Sequence, residues 1–393
     1  MSYQTWTAVL EENFGETVSW RRHLHRHPEP SFEETKTRAY VLARLEEFGI
    51  TDVRYPVGEG GIVATVTGGQ AGPTIALRAD FDALRIEEET QHDFRSEAPG
   101  IMHACGHDGH TAALLSVAKV VQQFKNELTG KVVFVFQHAE EVLPGGGKAM
   151  IEDGALDGVD AVYGIHLRAP MEFGKVTYCS EYAMAAADFF EIDIQGKGGH
   201  GASPHTTVDA VVVTAQIVNA LQGVVSRQVD PVKPAVLTVS TFQAGGEAHN
   251  IIADKARLKG TVRTFQPEVR EQIEADITQI ATQIAAGYGA TCEVRYTKGY
   301  PALYNHPKET ALVKELMEEA FGVEAVESTP LRMGGEDFAY YLQAKPGSFF
   351  FVNAGNEEKG ITYPHHHPKF DFDERALLTS GKAFLKIVDH YLG

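Results

Sequence analysis

The chain has 393 residues, more than one ordinary hydrophobic core holds, so we expect two domains. Its 43% hydrophobic and 22% charged residues are typical of a globular protein, and its formal net charge of −18 disfavours nucleic acid as a partner. The sequence contains no run of 18 or more apolar residues, so we expect no transmembrane helix and no membrane partner.

The first predicted elements are helices, and strands alternate with helices after them. Apolar residues at near-helical spacing predict a helical region over residues 15–48, which Pro28-Glu29-Pro30 interrupts. A second periodic segment predicts a helix over residues 111–124. Apolar runs predict buried strands at residues 73–77, 131–137, 159–165 and 348–352. We therefore predict an α/β domain with a mixed, mostly parallel sheet flanked by helices.

The middle of the chain predicts a second, different unit. Strands are predicted at residues 189–196, 235–244, 255–265 and 290–300, and helices at residues 207–227 and 267–288. The resulting order β-α-β-β-α-β is the ferredoxin-like pattern. We therefore predict a compact domain inserted at residues 183–296, while residues 1–182 and 297–393 fold together as a catalytic domain.

Cysteine usage and the N-terminal segment bear on the compartment. The three cysteines, Cys105, Cys179 and Cys292, are far apart and odd in number, as is typical of proteins in a reducing environment. The first 20 residues lack the basic start and the apolar stretch of a secretory signal. We therefore expect a cytoplasmic protein.

The richest group of chemistry-bearing residues is the segment Met102-His-Ala-Cys-Gly-His-Asp-Gly-His110. Thiolate, imidazole and carboxylate groups bind borderline-soft divalent metals such as zinc. Cys105 and His107 can converge on one ion if the backbone turns at Gly106, which glycine permits. A Cys-x-His pair alone is more often structural. Four other segments also carry metal-type ligands, and together they favour a metal site over a structural role for this pair: Asp80 and Asp82, Glu140-Glu141, His166, and His365-His366-His367.

Most of these segments directly follow a predicted strand: Asp80 and Asp82 the first, Glu140-Glu141 the second, and His166 the third. In open α/β sheets, sites form beyond the carboxyl ends of the strands, where residues distant in sequence meet. We therefore predict a metal site at this edge of the sheet. The set as a whole indicates a metal-dependent hydrolase.

The adjacent glutamates, Glu140 and Glu141, are predicted to have different roles. Neighbouring residues that leave a strand point in different directions, so one carboxylate can bind a metal while the other faces a water molecule beside it. A general base must reach the proton that it removes, and a neighbour of a metal ligand is well placed to do so. The alternative is a solvated acidic pair. The preceding apolar strand and the following Gly145-Gly146-Gly147 disfavour that alternative.

Several histidines allow more than one interpretation. The glycine-rich loop in the inserted domain either delivers His200 or His205 to a substrate or is a plain hairpin loop. At most two residues of His365-His366-His367 can point into one site, and an exposed turn is the alternative. One N-terminal cluster is more typical of a helix surface than of a site: Arg22, His23, His25 and His27.

The order and spacing of five segments resemble the M20 metallopeptidase superfamily: residues 102–110, 140–141, 164–167, 196–200 and 333–338. This resemblance covers nearly the whole chain, and its motifs are specific as a set. Within the superfamily, the chain is similar to the amidohydrolase branch that contains hippurate hydrolases, N-acetyl-amino-acid deacetylases and plant auxin-conjugate hydrolases.

The resemblance implies one or two divalent metal ions, of zinc, manganese, cobalt or nickel. The implied ligands are Cys105, His107, Glu141, His166 and His366. His366 takes the last position because His367 and Pro368 follow it, as Ser or Asn and then Pro follow the family's histidine. His365 and His367 remain alternatives for this ligand.

The resemblance also implies residues that act on the substrate or support the ligands. Glu140 matches the general base, and Asp82 is expected to support the ligands. His200 matches a lid-domain histidine that reaches the active site of the partner subunit in relatives, which implies a homodimer or a dimer of dimers. Asn250 and Arg263 match positions that hold the carboxylate of the substrate.

The resulting hypothesis is an enzyme that hydrolyses the amide bond of small N-acyl amino acids, of the N-acetyl or N-benzoyl type, to a carboxylate and a free amino acid. Glu140 takes a proton from metal-activated water, and His200 helps to hold the oxyanion. One alternative is a dipeptidase or aminoacylpeptidase of the same superfamily, which the Cys105-Gly106-His107 signature disfavours. Another is a metal-binding protein without catalysis, which the presence of Glu140 disfavours.

Overall fold

The computed structural model describes residues 3–393, which form two compact units. The first unit comprises the described residues through Ala183 together with Tyr304–Pro330 and Asp337–Gly393. The second unit comprises Met184–Leu303 and Leu331–Glu336. Each unit has a hydrophobic core of its own.

The helices of the described chain are α1 (Tyr3–Glu12), α2 (Phe14–Arg26), α3 (Thr35–Glu47), α4 (His107–Gln123), α5 (Gly147–Glu152), α6 (Ala210–Gly223), α7 (Pro267–Gly287), α8 (Pro307–Phe321), α9 (Phe338–Ala344) and α10 (Arg375–Leu392). The strands are β1 (Asp52–Val57), β2 (Gly61–Thr67), β3 (Gln70–Asp80), β4 (Thr129–Gln137), β5 (Ala161–Glu172), β6 (Val176–Tyr178), β7 (Glu181–Met184), β8 (Ala186–Gln195), β9 (Gly199–His200), β10 (Ala235–Ala244), β11 (Ile251–Ile252), β12 (Lys255–Thr264), β13 (Thr291–Thr297), β14 (Leu303–Asn305), β15 (Val326–Ser328) and β16 (Gly347–Gly355).

The first unit is built around an eight-stranded sheet of order β1-β2-β4-β3-β5-β16-β6-β15. Its centre, from β4 to β16, is parallel, and antiparallel pairs join β1 to β2, β2 to β4, and β16 to β6. Helices α4 and α10 contact the central strands. Strand β16 is buried along its whole length, as expected for a strand covered on both faces. The predicted α/β class with a mixed, mostly parallel sheet is confirmed.

Several element boundaries differ from the sequence-based predictions, and two of the differences concern predicted metal ligands. Helix α4 begins at His107 rather than Thr111, because Gly106 at φ +98° turns the chain directly into the helix. Strand β5 continues past residue 165 because β16 runs beside it, and His166 pairs with Phe351 inside the strand. The prediction that His166 follows the strand is therefore wrong. His166 still lies level with the end of β3, because Gly164 pairs with Arg78.

The second unit contains a four-stranded antiparallel sheet of order β10-β12-β8-β13. Helices α6 and α7 contribute their apolar faces to its core, which includes Phe190, Ile217 and Ile277. The chain order is β8, α6, β10, β12, α7, β13, which is the predicted β-α-β-β-α-β order. A separate two-stranded sheet pairs β9 with β11.

Helix α6 continues into a further helical turn, Val224–Gln228. The combined segment, Ala210–Gln228, is long and apolar enough to cross a membrane by length and composition alone. Core helices of globular proteins pass the same test, and 33% of this segment is buried. Its buried residues include Val213 and Leu221, which belong to the core of the second unit. The apolar composition of the segment is therefore explained in part by packing.

Candidate active site

Three predicted ligands meet where the end of the sheet adjoins the start of α4. Cys105, His107 and Glu141 each place one ligand atom within 4.8 Å of the others. His107 Nε2 lies 3.8 Å from Glu141 Oε1. The left-handed conformation of Gly106 makes the turn that brings Cys105 and His107 to the same side. This group could hold a metal ion.

His166 joins the cluster through the thiol of Cys105. Its Nε2 atom lies 3.5 Å from Cys105 Sγ, while Nδ1 donates a hydrogen bond of 2.5 Å to the carbonyl oxygen of Leu167. That bond fixes the tautomer and leaves the Nε2 lone pair directed at the cluster. Burial, with His110 and His365 nearby, holds the pKa of His166 well below its usual value. The imidazole is therefore neutral, as a metal ligand must be.

The three consecutive histidines differ in what their ring nitrogens contact. His366 has φ +66° and places Nε2 3.3 Å from Glu141 Oε1. His365 lies near Cys105 and His166, but its Nδ1 is 3.2 Å from the carbonyl oxygen of Cys105 and its Nε2 accepts from Ala169 N. His367 accepts from the backbone of Lys369 through Nδ1. Among the three, His366 therefore has a ring nitrogen directed at the carboxylate of the cluster.

The residues present fit a divalent cation. His107 Nε2 is fully buried and has no hydrogen-bond partner among the described residues. Burial alone would lower the pKa of His107, but Asp80, Asp82 and Glu141 raise it to about 10. The three carboxylates therefore stabilise positive charge at the position that His107 Nε2 faces, where a cation would bind. Burial, Glu141 and Glu140 raise the pKa of the Cys105 thiol, an effect that a bound cation would oppose by stabilising the thiolate.

Asp82 supports two of the candidate ligands at once. His107 Nδ1 lies 2.9 Å from the backbone oxygen of Asp82 and 3.2 Å from its Oδ1. Asp82 Oδ2 accepts hydrogen bonds from Ser31 Oγ at 2.6 Å and from Glu141 N at 3.0 Å. A carboxylate in this position fixes the imidazole tautomer so that Nε2 faces the metal position. Burial would raise the pKa of Asp82, but the contact with His107 lowers it.

Asp80 and His110 have a structural role in the described chain. His110 Nδ1 lies 2.6 Å from Asp80 Oδ1, and His110 Nε2 accepts from Leu167 N at 2.9 Å, so both ring nitrogens are used. Asp80 Oδ2 also accepts from the buried guanidinium of Arg78. These contacts hold Leu167, and with it the neighbouring His166, against the start of α4.

The predicted general base is buried beside its neighbouring ligand. Glu140 is 7% exposed and directly precedes Glu141, three residues after the end of β4. Ala139, which comes before it, has a left-handed backbone with φ +51°. Alanine rarely adopts this conformation, so no local pattern in the sequence predicts it.

The other predicted residues belong to the second unit. His200 and Asn250 are exposed and lie close together, because Ile251 pairs with His200 and Gly201 N donates to the Asn250 carbonyl at 2.7 Å. Arg263, on β12, is half-buried and makes no ion pair with a carboxylate among residues 3–393. Burial lowers the pKa of its guanidinium.

A buried charge network behind the cluster was missed by sequence reasoning. Asp108 Oδ2 accepts from Arg21 Nε at 2.9 Å and from His25 Nδ1 at 2.8 Å, and both residues are fully buried. The prediction that the cluster around His25 is a helix surface is wrong for His25. The spacing of Thr17, Trp20, Arg21, Leu24 and His25 places all five on the buried face of α2, a pattern that the sequence contained.

Comparison with known proteins identifies the family. The model of peptidase family M20/M25/M40 matches residues 76–390. The chain belongs to this family. The resemblance inferred from the sequence is thereby confirmed.

Relatives of this M20 protein include several enzymes. It is 45% identical over 298 residues to an N-acyl-L-amino acid amidohydrolase of Geobacillus stearothermophilus, covering 76% of this chain and 80% of that protein. It is 42% identical over 361 residues to an N-acetyl-L-cysteine deacetylase of Bacillus subtilis, covering 92% and 84%. The crystal structure of the Bacillus subtilis YXEP protein, described as a dinuclear metal binding peptidase, matches with a TM-score of 0.82, 34% identity and coverage of 97% and 98%. The M20 protein is a metal-dependent hydrolase that acts on amides.

Proposed function

We propose that this M20 enzyme hydrolyses the amide bond of N-acyl amino acids and releases a carboxylate and a free amino acid. The observation that carries this proposal is the similarity, over most of both chains, to two enzymes named for N-acyl amino acid substrates. The buried cluster at the sheet end supports the same chemistry, because it combines metal-type ligands with an adjacent carboxylate.

The proposed ion is held by Cys105, His107, Glu141, His166 and His366. When bound, a divalent ion lowers the pKa of a water molecule and polarises an amide carbonyl. Glu140 takes a proton from the attacking water as the new C–O bond forms. It then gives this proton to the amide nitrogen, which leaves as an amine when the C–N bond breaks. Burial of Glu140 keeps bulk water from competing for that proton.

For the second unit, we propose a lid role and contacts with the two polar ends of the substrate. His200 helps to hold the oxyanion, an interaction that strengthens as negative charge develops. Asn250 and Arg263 bind the substrate carboxylate. Arg263 is half-buried, and the nearby carboxylate of Asp188 forms its ion pair with Arg270 instead, so the guanidinium can still bind an anionic ligand, which supports this assignment.

We also propose that the enzyme is a cytoplasmic homodimer, or a dimer of dimers, paired through the second unit. Helix α6 has no charged residue between Asp209 and Arg227, and it exposes Val211 and Val212. Strand β10 lies at an edge of the four-stranded sheet, where a second chain can add. Light scattering is expected to give at least twice the mass of the 42.9 kDa chain. A monomeric mass at micromolar concentration would contradict this.

Turnover by the purified protein tests the proposed function. The protein is stripped of metal with a chelator and assayed on N-acetyl and N-benzoyl amino acids, with and without Mn²⁺, Zn²⁺, Co²⁺ or Ni²⁺. Release of free amino acid that depends on added metal is the expected result. Dipeptides with a free amine form the comparison set. Cleavage of these dipeptides without cleavage of any N-acyl amino acid would overturn the proposal in favour of a dipeptidase.

A further inference from the structure

The residue before the catalytic glutamate has an unusual backbone. Ala139 is not glycine, yet its φ of +51° lies in the left-handed region, where the β-carbon crowds the backbone. It is fully buried, so water does not hydrogen-bond to its main chain. Such a conformation persists only when the surrounding structure determines it, and it is frequent at sites where a side chain must be aimed.

Three hydrogen bonds fix the main chain around Ala139. Its N–H donates to Glu34 Oε1 at 2.8 Å, and its carbonyl oxygen accepts from Gly146 N at 3.0 Å. Two residues later, Glu141 N donates to Asp82 Oδ2 at 3.0 Å. Buried carboxylates from two different segments therefore hold the amide of the residue before Glu140 and the amide of the residue after it.

Glu34 is itself held in place. It is fully buried and directly precedes helix α3, and its Oε2 accepts from Arg38 Nη2 at 3.0 Å. One carboxylate oxygen of Glu34 thus accepts a hydrogen bond from Arg38, and the other accepts one from the Ala139 amide. Burial raises the pKa of Glu34, and the hydrogen bonds from Arg38 and the Ala139 amide oppose that shift by stabilising the carboxylate.

The backbone dihedral angles of a residue determine where the next side chain points. If the bond to Glu34 were lost, Ala139 could relax to a negative φ, and the side chain of Glu140 would turn relative to Glu141. A glycine at position 139 would adopt the positive φ without the same crowding. The chain instead has alanine and a buried carboxylate that holds it.

We propose that Glu34 is a positioning residue for the general base: it holds Ala139 in the left-handed conformation that aims Glu140 at the reacting water. This inference rests on the proposed role of Glu140. Glu34 forms no hydrogen bond or ion pair with the proposed ligands among residues 3–393, although its charge interacts with that of Asp82, and the proposed route to Glu140 is the Ala139 amide.

The test begins with two substitutions at position 34 in the metal-loaded enzyme. Glu34→Leu removes the acceptor, and we expect kcat to fall by about 10²-fold with KM within about twofold, because small misplacements of a catalytic group have effects of this size. Glu34→Gln keeps one acceptor oxygen and is expected to lose less than about tenfold. Glu33→Gln is the matched control, because Glu33 is an exposed carboxylate paired with Arg85 at the surface. Its kcat should equal that of the wild type.

A rescue variant separates positioning from a general loss of structure. In the double variant Glu34→Leu/Ala139→Gly, glycine removes the crowding at positive φ, so kcat should recover at least about fivefold relative to Glu34→Leu alone. Hydrogen exchange of the segment 137–146 gives a readout that does not depend on activity. The Ala139 amide should exchange slowly in the wild type and faster in Glu34→Leu, while bound metal per chain stays unchanged. If Glu34→Leu fails to fold, the same comparison is made on Glu34→Gln with and without Ala139→Gly.

The outcomes distinguish this inference from the proposed function. Wild-type kcat in Glu34→Leu, together with an inactive Glu140→Gln, would overturn the role of Glu34 and leave Glu140 as the base. A fall in kcat that Ala139→Gly does not relieve would also overturn it, because the loss would then not pass through the backbone of Ala139. Full activity of Glu140→Gln would overturn the proposed mechanism itself.

Discussion

The metal-type cluster of the first unit and the candidate substrate residues of the second unit are built in different ways. In and around the cluster, buried carboxylates hold several groups in place: Asp82 contacts His107, Asp80 contacts His110, and Glu34 accepts from the Ala139 amide. In the second unit, by contrast, His200 and Asn250 are exposed. Groups that need fixed geometry are thus held by buried hydrogen bonds, whereas groups proposed to meet a substrate lie on an accessible surface.

This difference predicts two kinds of mutational effect. Changes in the buried cluster should alter the chemical step or the affinity for metal. Changes in the exposed residues should leave metal content unchanged, because none of them contacts the cluster residues through a bond described here.

The largest effect is expected for Glu140→Gln. Glutamine has the shape of glutamate but cannot accept the proton of the attacking water, so kcat should fall by about 10³-fold. Bound metal per chain, measured by elemental analysis, should equal that of the wild type, because the proposed ligand is Glu141. The exposed Glu152→Gln is the control variant. Turnover within tenfold of the wild type would exclude Glu140 as the base.

A smaller effect is expected for His200→Ala. Loss of a group that stabilises the oxyanion should reduce kcat by about 10²-fold, since a single such donor contributes about that much. Metal content should be unchanged. His205→Ala provides the matched comparison, because His205 is exposed in the same glycine-rich loop. Equal losses in both variants would mean that the loop as a whole matters, and a larger loss in His205→Ala would reverse the assignment.

Asp82→Asn is expected to weaken metal binding by about tenfold or more, as is typical when a residue that orients a ligand is changed. If the amide nitrogen replaces Oδ2, both Ser31 and Glu141 lose their acceptor, and if it replaces Oδ1, His107 loses one of its two contacts with Asp82. Competition with a fluorescent chelator measures the affinity. Saturating metal should restore most of the activity, which a defect in the chemical step would not allow.

Much of the fold could be predicted because its central strands are unusually apolar. Residues 132–136 and 349–352 are continuous apolar runs, as is typical of strands covered on both faces, and both runs lie in strands of the structure. Strand β1 was missed because five of its six residues are exposed or half-buried, so it carries no such pattern. The end of β5 was misplaced because hydrogen bonds to β16 extend it, and periodicity does not register a neighbouring strand.

The candidate site likewise contains features that the local sequence predicts and features that it does not. The turn at Gly106 could be predicted, because a glycine between two ligand-type residues has a local explanation. The bond from Glu34 to Ala139 could not, because the residues are 105 positions apart and alanine gives no local indication of positive φ. Burial of His25 was visible in the helical spacing of α2, but its partner Asp108 depends on how α2 packs against α4. The meeting of ligand-type residues at strand ends is therefore predictable, whereas the hydrogen-bond partner of a particular buried group is not.

The last prediction concerns stability and the network behind the cluster. Glu88 is buried, and its Oε1 lies 3.2 Å from His25 Nε2 while its Oε2 accepts from Ser96 N at 2.6 Å. Burial by itself would raise the pKa of Glu88, but these contacts outweigh burial and lower the pKa to about 2. A carboxyl group with a lowered pKa stabilises the folded state above its unfolded pKa near 4.5 and loses that contribution as the pH falls toward 2.

The metal-free protein is therefore expected to lose stability between pH 4.5 and 2 more steeply than its Glu88→Gln variant. At pH 6 the variant should be less stable by up to about 3 kcal/mol, the size that a shift of this magnitude implies, and the difference should shrink on acidification. Urea unfolding followed by tryptophan fluorescence measures the free energy of unfolding of the first unit, because Trp6 and Trp20 both belong to its core. The exposed Glu89→Gln is the neighbouring control. Parallel pH profiles for the wild type and Glu88→Gln would mean that the charge of Glu88 does not stabilise the buried network.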